Sequence, residues 1–151
     1  MKWTRTLIPD KAEREMVKPL KGIYVLIIRV NKGTNVNVGA LGRTAFAEGL
    51  YAYVGSAQTN LEQRIKRHLR KEKRLFWHID YLLDSDQAEI VKVLHKETDK
   101  TEECAVANTL SEKGEPVDGF GCSDCRCRSH LFRIGDYEFL LDSMKPLDKL
   151  S

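Results

Sequence analysis

Arg64 and His68 stand four residues apart in the run QRIKRHLRKEKR, so a helix would stack the guanidinium and the imidazole one turn apart on one side. Just upstream, Tyr51 and Tyr53 alternate with Leu50, Ala52 and Val54, the two-residue period of a strand with two distinct faces. A fork of donors and a titratable ring beside tyrosines suit a phosphodiester, the donors for its charge and the ring to move a proton during attack on it. A solvated basic helix with an incidental histidine would carry the same residues, so the pair acquires meaning only in company. Glu103 supplies some. It heads the series Glu103, Val106, Ala107 and Leu110, which puts a carboxylate first on an apolar stripe, while Glu102 points elsewhere. An inward carboxylate is unfavourable unless it is paired or binds a cation, although a helix N-terminus also favours its charge when the side chain bends outward.

Positioning these groups takes strands, helices and a turn. Gly55 ends the tyrosine strand, Ser56 and Ala57 let backbone approach a ligand, and Thr59 with Glu62 makes the T-x-x-E capping box of a helix over residues 60–72. On that helix Leu61, Ile65 and Leu69 form the expected buried stripe, Arg64 and His68 flank it, and Lys66, Arg67, Arg70 and Lys71 turn toward water. Residues 22–30, GIYVLIIRV, are apolar on both faces and predict a central strand with Tyr24 at its head. The turn-rich residues 31–48 alternate at Val36 and Val38, as in a β-hairpin. Residues 75–83, LFWHIDYLL, predict a second short helix, with His78 and Asp80 as functional candidates of lower rank. A third main strand is expected over 88–95, a helix over 102–113 closed by Gly114, a last strand over 129–134 and a short terminal element over 137–144. Residues 1–21 read as an arm with one short helix from Ala12 to Val17. The fold class is α/β in the α+β sense, a small, mainly antiparallel sheet of three or more strands flanked by helices, in a single domain with its core at about 20–134 and a C-terminal extension over 135–151.

Cys122, Cys125, Cys127 and His130 have ligand types and spacings that could hold Zn²⁺, with Cys104 as a distant thiolate. Ordinary buried thiols would read the same way.

Gly22-Ile23-Tyr24 and Tyr53-Val54-Gly55, in that order, resemble the two signature tripeptides of the GIY-YIG nuclease superfamily. Arg64, the histidine four residues on at His68, and Glu103 match the arginine, histidine and glutamate that follow them in that superfamily. The words WHIDYLL and GFGCSDCRCRSHLF look like a branch found alone or fused to endonuclease III. The resemblance implies a metal-dependent DNA endonuclease of repair or processing. Glu103 would hold one Mg²⁺ or Mn²⁺, Tyr24 assisted by Tyr53 would act as general base, Arg64 would neutralise transition-state charge, and His68 would orient or shuttle the proton. It departs from the tightest members in the 28 residues between Tyr24 and Tyr53, and in the later asparagine, for which Asn108 lies only one turn past Glu103. A catalytically silent nucleic-acid-binding module and an accessory domain docking on a repair enzyme such as an endonuclease III are the competing classes.

The charge balance is modest, 25 Lys and Arg against 22 Asp and Glu, but it is unevenly placed. Seven of the eleven residues from Arg64 to Arg74 are basic, so Lys66, Arg67, Arg70, Lys71, Lys73 and Arg74 are expected to meet the phosphates of DNA, or of RNA. No run of some eighteen apolar residues and no signal-peptide core is evident, so a cytoplasmic protein without a membrane partner is expected.

Overall fold

Nine consecutive residues, Gly22–Val30, form strand β1, buried at every position but Arg29. That pattern needs a partner on each edge and a layer on each face, and β1 has both. A computed structural model describes residues 21–121 and 127–147 of the chain. The expected arm helix, Cys122 and Cys125 lie outside the described residues.

β1 pairs antiparallel with β4 (Gly49–Ala57) on one edge and with β5 (Ala88–Glu97) on the other. The residues between β1 and β4 leave their register intact from Gly22 opposite Ala57 to Val30 opposite Gly49, because a longer loop adds closure entropy only slowly. They form the expected hairpin of β2 (Thr34–Val38) and β3 (Gly42–Phe46). Two-residue β6 (Glu115–Pro116), β7 (Leu131–Ile134) and two-residue β8 (Lys145–Pro146) complete a six-stranded sheet in the order β6-β7-β4-β1-β5-β8, with every pair antiparallel. The fold is α+β, a six-stranded antiparallel sheet and a small two-stranded one flanked by three helices.

The two faces of β1 feed two cores. Tyr24, Leu26 and Ile28 pack with Leu61 and Ile65 of α1 (Leu61–Leu69), with Ile79 and Leu82 of α2 (His78–Leu83), and with the hairpin's Val38 and Phe46. Ile23, Val25 and Ile27 pack with Ala107 and Leu110 of α3 (Thr101–Lys113). Leu140, in a 3-10 turn at Glu138–Leu140, and Met144 join this second core, so the stretch after β7 belongs to the packed fold. Among the described residues, no helix is long and apolar enough to cross a membrane.

Helix α1 differs from its sequence reading in three ways. It begins after Asn60, whose side-chain oxygen accepts from the Gln63 backbone N–H at 3.0 Å, so Asn60 and not the Thr59 and Glu62 pair caps it. It ends at Leu69, short of residue 72. Its third inward residue is His68, while Leu69 is 44% exposed. Positions 61, 65 and 68 follow the 3.6-residue turn more closely than 61, 65 and 69, and a polar partner inside makes room for the imidazole.

Candidate functional site

The two tripeptides meet through the sheet register, which sets Tyr24 directly opposite Gly55. The phenol of Tyr24 lies over that glycine, where a Cβ would come within 2.5 Å of its hydroxyl oxygen. At the head of β1 a Cβ on Gly22 would meet the Lys96 carbonyl of β5 at 2.1 Å. Both glycines are thus required by close approach. The space above Gly55 lets the Tyr24 hydroxyl reach Nε2 of His68 at 2.7 Å, with the rings tilted and 5.3 Å between centroids.

Tyr24, Tyr53, Arg64 and Glu103 line one cleft of about 740 Å³, and His68 sits behind Tyr24, buried. Burial pushes both phenols above their ordinary value, strongly for Tyr53, and Arg64 works against the rise in each. Burial also holds the His68 ring far down, at about 3, so it is neutral at physiological pH. Its Nδ1 has no partner among the described residues. Arg64 donates from Nη1 to the Ser56 carbonyl at 3.0 Å and stacks on Trp77, 4.5 Å from the ring centroid. These two contacts aim the rest of the guanidinium across the cleft.

Glu103 reaches the cleft from the first turn of α3, with its side chain 15% exposed, as its place on the apolar stripe predicted. Its Oε2 lies 2.8 Å from Nδ1 of His130. Burial raises its carboxyl, but the hydrogen bonds from His130 and Ser56 outweigh that and leave it below the ordinary carboxylate range. Glu102 turns away to Lys96, 3.3 Å distant and 40% exposed on each side.

The basic run is divided between two tasks. Arg67 does not turn to water as its position suggested: it forms a two-pronged ion pair with Asp80, 2.9 Å at each prong, and stacks on Trp77, 4.3 Å from the ring centroid. Asp80 is fully buried and also accepts the backbone N–H groups of Phe76 and Trp77, so this lower-ranked candidate holds the entry to α2. Lys71 donates to the Leu83 carbonyl and Lys73 to those of His68 and Arg70. Lys66 and Arg70 line a second, more open hollow of about 750 Å³ along α1, which shares Thr59 and Arg64 with the cleft. Arg74 is exposed. His78, the other lower-ranked candidate, accepts the Gly121 N–H at Nδ1 and packs edge-on against buried Phe120. It anchors the start of the cysteine segment.

Of the expected zinc ligands, Cys127 and His130 lie among the described residues, and Cys104 comes to them. The ligand atoms of Cys104, Cys127 and His130 all lie within 4.8 Å of one another, a group that could hold a metal ion.

A family model described as Domain of unknown function DUF123 matches residues 23–149. The chain belongs to the DUF123 family. No curated protein and no solved structure matches it. The match of this DUF123 chain starts in β1 and runs past β8, so the sheet, the cleft and the C-terminal turn all fall within it.

Sequence reasoning missed Ser56 and Trp77 as the groups that orient Arg64, and His130 as the partner of Glu103. Trp77 carried a signal, an aromatic at the mouth of a short helix next to cations. The other two carried none, since a serine in a turn and a histidine among cysteines fit many roles.

Proposed function

We propose that this protein is a metal-dependent endonuclease that hydrolyses phosphodiester bonds in DNA, of the GIY-YIG kind its tripeptides resemble, with a place in DNA repair or processing in the cytoplasm. The observation that supports the reading is convergence: a tyrosine bonded to a neutral histidine, a positioned arginine and an ionised carboxylate, from three separate elements, around one cleft.

A hard divalent cation fits the residues present. Glu103 is ionised and half-enclosed, and it is the one carboxylate among the described residues lining the cleft, which suits Mg²⁺ or Mn²⁺ that keeps most of its waters. When bound, such an ion polarises the scissile phosphate and screens its charge. Arg64 binds the phosphate with the donors that Ser56 does not take. Burial disfavours a free phenolate at Tyr24 and the Arg64 charge favours it, so with a cation bound the phenolate would take the proton of the attacking water while the contact with Nε2 of His68 orients its oxygen. Tyr53, half-buried beside them, walls the cleft and keeps His68 in place edge-on, 6.2 Å between centroids. Lys66 and Arg70 extend the phosphate track along α1.

The test is a panel of labelled DNA structures incubated with Mg²⁺ or Mn²⁺. Wild-type protein is expected to cleave at least one member, Glu103→Gln to lose metal-dependent cleavage about 100-fold or more while still binding DNA, and Glu102→Gln to match wild type. Equal cleavage by Glu103→Gln across a Mg²⁺ titration places the cation elsewhere. Binding without cleavage of any member makes the chain a binding module.

A further inference from the structure

Cysteines occupy two stretches of this sequence, and the fold brings Cys104 of the first to Cys127 of the second at the wall of the cleft, which Cys104 and His130 line. Cys104 follows Glu103 in the first turn of α3, and Cys127 lies 23 residues on, just before β7. Their sulfurs are 2.9 Å apart. Neither is in a disulfide. His130 completes the group: its ring is 3% exposed, and its ligand atom lies with both sulfurs inside a 4.8 Å span. Ligand atoms around a tetrahedral Zn²⁺, with bonds of about 2.0–2.3 Å, stand roughly 3.3–3.8 Å from one another, so an ion would have to part the two sulfurs by just under 1 Å to sit among the three groups.

The histidine separates a metal site from a thiol pair. A disulfide needs only the two sulfurs, whereas here an imidazole converges with them and its Nδ1 meets the Glu103 carboxylate. Nδ1 of His130 lies 2.8 Å from Oε2 of Glu103, so an ion bound through Nε2 would leave that contact in place. A carboxylate that fixes the tautomer and orientation of a histidine is the outer support that metal-bound histidines usually have. Two thiols and an imidazole select a soft or borderline ion over the hard one suited to the cleft.

We infer that Cys104, Cys127 and His130 form a zinc site, with Glu103 as the positioning residue for His130. Among the described residues three protein ligands are available to the ion. It ties the N-terminus of α3 to the segment entering β7, and the same carboxylate faces the cleft, so occupancy at the thiols sets how Glu103 is held. Among the described residues the set joins Cys127 and His130 of the expected ligands to the distant thiolate Cys104, while Cys122 and Cys125 lie outside the described residues.

The measurement needs no nucleic acid, so it stands or falls apart from the nuclease reading. Protein purified without chelator is expected to carry about one zinc per chain by elemental analysis, released on thiol modification. Replacement by Co²⁺ should give the visible bands of a thiolate-bound tetrahedral ion. Cys104→Ser and Cys127→Ser should each lose stoichiometric metal. Glu103→Gln should keep the site but weaken its affinity for Zn²⁺ about 10–100-fold in competition with a chromophoric chelator. Circular dichroism identifies any variant that fails to fold, and the wild-type Co²⁺ spectrum then decides alone. Zinc-free protein with Cys104 joined to Cys127 as a disulfide overturns the inference in favour of a thiol pair. Full zinc content in folded Cys104→Ser overturns the ligand set.

Discussion

His68 is where a single side chain most changes what the fold tolerates. Enclosed beneath Tyr24 and Trp77, it is held neutral down to about pH 3, whereas in the unfolded chain it takes up a proton near its ordinary value of 6.5. Between those values the unfolded chain binds the extra proton, so stability rises with pH there: the contribution is complete above about 6.5 and is lost as pH falls toward 3. His78 and His95 are shifted the same way, and Asp80 and Glu103, below their ordinary values, add losses in more acid solution. His68→Gln keeps a polar partner for the Tyr24 hydroxyl but cannot titrate. Urea unfolding at pH 7 and pH 4 should therefore show wild type losing more stability than the variant, by on the order of 3 kcal/mol. Equal losses would mean that protonation of His68 is not what opposes the fold in acid. The inward direction of Glu103 was legible from its own helix, because Val106, Ala107 and Leu110 mark the face. That of His68 was not, since its partner Tyr24 is 44 residues away and an apolar Leu69 stood next to it as the obvious third member of the stripe.

At the level of elements, α1 and α2 are joined by one ion pair as well as by apolar contact. Asp80 is enclosed, Arg67 keeps 22% of its side chain in solvent, and the pair also fixes Trp77 and hence the stacking surface for Arg64. Asp80→Asn keeps the shape and loses the charge. Removing one partner of a buried pair costs about 3–5 kcal/mol, and the solvent left on Arg67 brings the expected loss to about 2–3 kcal/mol in denaturant unfolding. Glu62→Gln, which removes the exposed partner of Lys66 one turn away, should cost no more than about 0.5 kcal/mol. A similar small effect for Asp80→Asn would show that the two helices are held by packing alone. Strand alternation, the glycines and the double-sided apolar run made β1, β4, β5 and the hairpin readable in advance. The sharing of cations was not readable, because Arg67 looks like its neighbours in sequence and only the arrival of α2 sets it apart.

For the whole molecule, that sharing lowers the number of charges free to meet a polyanion. Of the seven cations between Arg64 and Arg74, Arg67 is held by Asp80, and Lys71 and Lys73 donate to backbone carbonyls. Arg64, which spends one prong on Ser56, Lys66, whose partner Glu62 is exposed, Arg70 and Arg74 remain. About four phosphate contacts predict that log K for DNA falls with log salt with a slope near −3 to −4, instead of the steeper value that all seven would give. Lys66→Ala and Arg70→Ala should each reduce the slope by about 1 and weaken binding on every sequence alike. A slope near −6 in wild type would show that the internally bonded lysines let go to reach the nucleic acid. The sheet itself carries a different protection. Its two outermost strands, β6 and β8, are each only two residues long, and each pairs a charged residue with a proline, Glu115–Pro116 and Lys145–Pro146. A proline has no N–H to offer a newcomer and a two-residue edge gives little length to zip along, so β6 and β8 are themselves poor templates, whereas β5 is covered by β8 only at Leu94 and His95. Edge-to-edge aggregation, the common hazard of an open sheet, is thus blunted most at the β6 border, and charged Glu89 and Lys92 stand on the longer β5 edge.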